Sequence, residues 1–209
     1  MMKSIISLAF LFLTFSGFVM MPEHGKKYMI PGDFCLSAEE LKLYQLINDY
    51  RVSLGLSKIP LSKSLSYTAY RHTHDLAENL GALTHSWSDC DYDKDGRCMW
   101  DQPLRYTDYK GQAYECAHYR NTGSNAQAAF NGWKNSPSHN ELLANLNGWE
   151  TSKWRAIGVS IHQQYACIWV GEEDDSTEDI PEICPQEEKL ASTANSNAGV
   201  AGPKAKTMN

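Results

Sequence analysis

Three signatures of familiar chemistry are missing from this chain. It has no Cys-x-x-Cys pair, no His-Glu-x-x-His helix and no Gly-x-Ser-x-Gly elbow. The first absence argues against a zinc ribbon, the other two against common zinc-protease and α/β-hydrolase sites. Positive charge is also short. A net charge of −6 over 209 residues and a pI near 5.6 exclude the basic face that nucleic acids require, and they disfavour anionic membrane surfaces. There is no internal repeat. At 42% hydrophobic and 11% aromatic residues, the chain supports one sizeable core and little more.

One long apolar run is present, and it lies at the N-terminus. Lys3 precedes a stretch from Ile5 to Met21, and Glu23-His-Gly-Lys-Lys27 follows. A short basic region before an apolar segment is the pattern of a secretory signal, here read as residues 1–20. An uncleaved membrane anchor is the alternative, since the run is nearly long enough to span. With the signal removed, no membrane association is expected and the protein is secreted. The six cysteines, Cys35, Cys90, Cys98, Cys116, Cys167 and Cys184, then read as disulfide formers. Cys90 and Cys98 are close enough to pin one loop. For the rest the expected pairs are Cys116–Cys167 and Cys35–Cys184, the latter joining the two ends of the domain.

Helical patterns come first. Ser37-Ala-Glu-Glu40 forms a capping box, in which serine and glutamate satisfy free amides at a helix start. Leu43, Leu46, Ile47, Tyr50 and Leu54 follow at helical spacing up to Gly55. A second helix spans 62–80, with Leu65, Ala69, His72, Leu76 and Leu80 on one stripe, and Gly81 closes it. A long polar loop from Trp87 to Gly111 holds Cys90 and Cys98. A third helix covers 124–133, and Ser136-Pro137 opens a fourth. The runs 156–162 and 165–170 form a hairpin turning at Gln163-Gln164. From 172 to 209 the chain is acidic and then low in complexity, a composition expected to stay disordered.

Taken in order, several segments resemble the CAP/SCP superfamily of cysteine-rich secretory, antigen-five and pathogenesis-related proteins, in its bacterial form. They are Leu46-Ile-Asn-Asp-Tyr-Arg51, then His72-Thr-His-Asp-Leu76 leading to Thr84-His85-Ser86, then Tyr114-Glu115. Trp133-Lys-Asn-Ser-Pro-Ser-His139, Ile157-Gly-Val159 and Tyr165 to Gly171 complete the set. The resemblance implies an α/β fold over residues 35–171, a three-layer α-β-α sandwich around a small antiparallel sheet. It also implies a cleft with two histidines and a carboxylate, carried over by position to His85, His139 and Glu115. Two imidazoles and a carboxylate suit zinc, with a position left for water. The family's usual second glutamate falls near Asn135 or Ser136, Cys116 replaces an asparagine, and 147–155 looks inserted.

The implied function is that of an extracellular binding protein, its partner another extracellular protein or a small apolar or lipid ligand. The alternative is a hydrolase, either zinc-dependent or built on Ser86 beside His85 with Glu115. Among the other histidines, His72 is expected as a hydrogen-bonded core residue and His74 as a solvated one. His118 could approach the cleft, and His162 has no assigned role. Finally, Asp91, Asp93 and Asp95 before Gly96 repeat the start of a calcium loop. Its twelfth position is Gln102, where a bidentate glutamate belongs, so a polar surface loop is favoured over a calcium site.

Overall fold

The computed structural model describes residues 29–176 and 180–185. The signal segment at 1–20 and the tail beyond 185 lie outside the described residues. Helix α1 (Ala38–Ser53) begins at Ser37, whose hydroxyl accepts the Glu40 amide while the Glu40 carboxylate accepts the Ser37 amide. The same carboxylate reaches across to accept the Ile161 amide at 2.9 Å, so the cap also docks the helix onto the sheet. Helix α2 (Lys63–Asp75) starts at Ser62 and loosens into a π-helical turn, Leu76–Leu80, before Gly81 ends it at a positive φ of 64°. Helices α3 (Arg97–Trp100) and α4 (Gln102–Tyr106) lie within the segment expected to be plain loop. Helices α5 (Ala126–Lys134) and α6 (Pro137–Ala144) follow the expected starts closely.

The central sheet holds β2 (Ala113–Tyr119), β4 (Tyr165–Gly171) and β3 (Ala156–His162), in that spatial order and antiparallel throughout. Side-chain alternation divides the core in two. Tyr114, Cys116, Ile157, Val159, Ile168 and Val170 face α1, α5 and α6, packing on Leu43, Ile47, Phe130, Trp133 and Leu143. Ala113, Ala117, Ala156, Cys167 and Trp169 face the other way, onto Leu65, Ala69 and Leu76 of the second helix and onto Trp87, Tyr106 and Tyr109. This is the three-layer α-β-α arrangement. Two further strands, β1 (Cys35–Leu36) and β5 (Glu182–Ile183), pair in parallel beside the Cys35–Cys184 disulfide.

Cys90–Cys98 is bonded as expected, but Cys116–Cys167 is not; both of those cysteines are free and buried. Register explains the correction. Cys116 stands opposite Ile168, and Cys167 opposite Ala117. The two thiols are one residue out of step, so they project from opposite faces of the sheet.

The motif residues of α1 act as structural ties. Asn48 brackets Ile59, accepting its amide at 2.7 Å and donating to its carbonyl at 3.1 Å. Tyr50 donates to Asn140, and the buried Arg51 donates to the Leu143 carbonyl and to Asn145. The acidic stretch after Gly171 is tied in at its start. Asp175 accepts both the Ser62 and Ser64 hydroxyls and the Ser64 amide, so it caps α2.

Candidate functional site

Glu115 projects from β2 toward the α2 layer, because it shares a face with Ala113 and Ala117. Its carboxylate is held between two imidazoles. One oxygen meets Nδ1 of His72 in a short contact, and the other accepts Nδ1 of His85 at 2.7 Å. The side chains of His72 and Glu115 are 0% exposed, while that of His85 keeps 34%. His72 Nε2 faces the Ser86 carbonyl at 3.1 Å; a carbonyl only accepts, so that nitrogen carries a proton. The His72 ring stacks on Trp87 at 4.4 Å, and Cys167 Sγ lies 4.0 Å from its Nδ1.

Burial opposes a charge on Glu115. The field of His72 and the hydrogen bonds from both histidines overcome it and hold the carboxyl at about 2. The same hydrogen bond raises His85 above its ordinary value, against the opposition of burial. Burial pushes the Cys167 thiol well up, with the Glu115 charge adding to it, which leaves Cys167 a neutral thiol.

His139 comes from the first turn of α6, where its Nδ1 is engaged by the Ser136 hydroxyl at 2.9 Å. Burial lowers its proton affinity, as does the field of His85, with Glu115 pulling the other way. His118 reaches Ser124 at 3.2 Å and lies against Gly132. Burial lowers it too, followed by Arg120 and His139. The structure therefore joins His85 directly to Glu115, whereas the hydrogen bond of His139 goes to Ser136. For both His85 and His139 Nδ1 is committed, and no hydrogen bond to Nε2 occurs among the described residues.

The chain's two closest triads of donor groups, with donor atoms within 4.8 Å of one another, are His72–Glu115–Cys167 and His74–Glu78–His162 among the described residues. Sequence reasoning placed His72 in the core but missed that its partner is the site carboxylate. The signal was available in the helical stripe, which aims His72 at the sheet. The same reasoning read His74 as solvated; the side chain is partly exposed, and it also bonds Glu78 at 2.9 Å and stacks on His162 at 3.6 Å.

Ser86 and His85 point apart. The Ser86 hydroxyl accepts the Tyr92 amide at 2.9 Å, and His85 turns to Glu115. In the aspartate loop, Asp91 pairs with Lys94 at 2.7 Å and accepts the Asp93 amide, while Asp95 accepts the Arg97 amide. Those oxygens thus serve turns and an ion pair within the loop itself.

A separate groove of about 730 Å³ lies along the outer side of α2. Phe34, Tyr67, Tyr70, Trp87 and Tyr106 line it, together with Arg71. Neither His85 nor Glu115 is part of its wall.

A model of the CAP family, described as the cysteine-rich secretory protein family, matches residues 44–170. Among solved structures, an outer surface protein from Borrelia burgdorferi is 21% identical with a TM-score of 0.51, over 69% of this chain and 100% of its own. An extracellular protein containing an SCP domain, from Bacillus anthracis, is 18% identical with a TM-score of 0.50, over 65% of this chain and 40% of its own. The chain thus spans well under two thirds of that second neighbour. At such identities the likeness speaks for the fold. No curated protein matches the sequence.

Proposed function

The chain belongs to the CAP family, the cysteine-rich secretory proteins, and from that premise we propose that it is an exported binding domain whose cleft takes up a divalent transition ion between His85 and His139. Export is supported by two disulfides, which persist in oxidising compartments. The observation that carries the ion-binding reading is the bond from His85 Nδ1 to Glu115. A carboxylate on one ring nitrogen orients an imidazole and leaves Nε2 as the donor, the common arrangement behind histidine ligands. In this reading Glu115 positions rather than ligates, since its two oxygens already serve His72 and His85. Zinc is the best match to two imidazoles with positions left for water or a partner's group.

Calorimetric titration of Zn²⁺ into the oxidised, signal-free protein tests this reading. One Zn²⁺ site should disappear in His85→Ala/His139→Ala, and its affinity should weaken about 10- to 100-fold in Glu115→Gln. Affinity should also rise with pH through the raised pKa of His85, because Nε2 must lose its proton before it can donate. A double variant that binds at this site with unchanged affinity would defeat the reading.

The aromatic groove favours a second role, the docking of a small apolar ligand or an extracellular partner. An environment-sensitive apolar dye should brighten in the wild type and not in Tyr70→Asp. Equal brightening in both would remove the groove from consideration.

A further inference from the structure

We propose that His74, Glu78 and His162 form a second divalent transition-metal site on the surface, distinct from the His85–His139 cleft. Three elements converge there. His74 is in the last turn of α2, Glu78 in the π-helical turn, and His162 ends β3 just before the hairpin. His74 Nδ1 lies 2.9 Å from Glu78 Oε1, and His162 Nε2 lies 3.3 Å from the same oxygen. All three donor atoms fall within 4.8 Å of one another. Zinc bonds of about 2.1 Å at tetrahedral angles set donor separations of roughly 3.4 Å, so the cluster is already near the span one ion requires.

Proton chemistry points the same way. The Gln163 side-chain nitrogen also lies 3.2 Å from His162 Nε2. The same Nε2 lies 3.3 Å from the Glu78 carboxylate oxygen, so both ring and carboxylate already point at the position one ion would share. The two imidazoles are stacked at 3.6 Å, a distance at which charging both is costly. Burial and His74 push His162 below its ordinary value, and the hydrogen bond from His74 holds Glu78 below its own. To aim both lone pairs at one ion the rings must fan apart. Their side chains are 26% exposed, and the rim residue Tyr70, 4.1 Å from the His74 ring, must shift with them. Two imidazoles and one carboxylate, open to solvent, suit Zn²⁺, Cu²⁺ or Ni²⁺ rather than Ca²⁺ or Mg²⁺. Because His74, Glu78 and Tyr70 also line the groove along α2, an ion held there would sit at the groove's edge.

The test is Zn²⁺ calorimetry, with Co²⁺ visible absorption as a coordination reporter, on the oxidised protein and three variants. His85→Ala/His139→Ala should keep one saturable site that yields the bands of His-ligated Co²⁺. His74→Ala/His162→Ala should lose that site, and Glu78→Gln should weaken it. Unchanged stoichiometry and affinity in His74→Ala/His162→Ala would overturn the proposal, as would complete loss of binding in folded His85→Ala/His139→Ala. Near-ultraviolet dichroism checks folding, and His74→Gln supplies a milder variant should the double one misfold. The two sites fail separately: a protein that loses ions only with His74 and His162 refutes the cleft reading and upholds this one.

Discussion

Glu115 is a single carboxylate serving two histidines in a place where water does not reach. Removing an ion pair from water costs several kcal/mol per charge, and only good hydrogen bonds offset it. Glu115→Gln leaves His72 buried against a weaker acceptor, so urea unfolding should show a loss of about 3 kcal/mol. The pH dependence of that loss follows from the shifts. Glu115, held at about 2 against an ordinary 4.5, contributes fully above 4.5 and loses its contribution as pH falls through about 2. His85, raised above 6.5, contributes fully below 6.5 and loses its contribution as pH rises through the higher folded value. His139 works in the opposite direction: burial lowers it, so its cost grows as pH drops below 6.5. Because both proteins retain His139, the stability gap between wild type and Glu115→Gln should be widest from pH 4.5 to 6.5 and shrink on either side. A gap flat with pH would mean that the histidines do not hold this carboxylate as described.

At the scale of elements, the closest approach is between α2 and β3. A Cβ on Gly158 would stand 1.9 Å from the Leu65 carbonyl carbon and 2.1 Å from the Ser66 amide nitrogen, both backbone atoms that cannot step aside. Gly158→Ala should therefore separate the helix from the sheet and cost about 3 kcal/mol or more, read as a fall in Tm. The loss should spread to the site, because the same helix carries His72. Wild-type stability in this variant would contradict the packing. How legible these elements were depended on where their signals lie. Helices α1, α2 and α6 were readable because Ser37, Ser62 and Pro137 mark their starts locally. The β3–β4 hairpin was readable because its apolar residues are contiguous. Strand β2 was not, because polar residues interrupt its apolar pattern on both faces, Glu115 toward α2 and His118 toward α5. Without that strand its register on β4 stayed hidden, and with it the reason why Cys116 and Cys167 cannot bond. Of the candidate site, the residue types at 85, 115 and 139 were legible from the family resemblance. The roles of His72, His74 and His162 needed the three-dimensional neighbourhoods of α2.

For the whole molecule, the deciding bond joins Cys35 to Cys184, residues 149 apart in sequence. In the chain-entropy model, closing a loop of that length restricts the unfolded state by about 5 kcal/mol, with smaller values usually measured. Cys35→Ser/Cys184→Ser should lower stability by about 3 kcal/mol and release β1 from β5, while Cys90–Cys98 and the central sheet persist. Since Phe34, Cys35 and Cys184 line the groove, apolar-dye binding should change together with the loss of that bond. A variant as stable as wild type would show that the ends are held by contacts alone. The bond has a mechanical consequence as well. Tension applied between a point upstream of Cys35 and one downstream of Cys184 passes from sulfur to sulfur. Helices α1 to α6 and the three-stranded sheet lie on the slack side of that link, so a pull on the two ends stretches a covalent bond and leaves His85 and Glu115 unstressed.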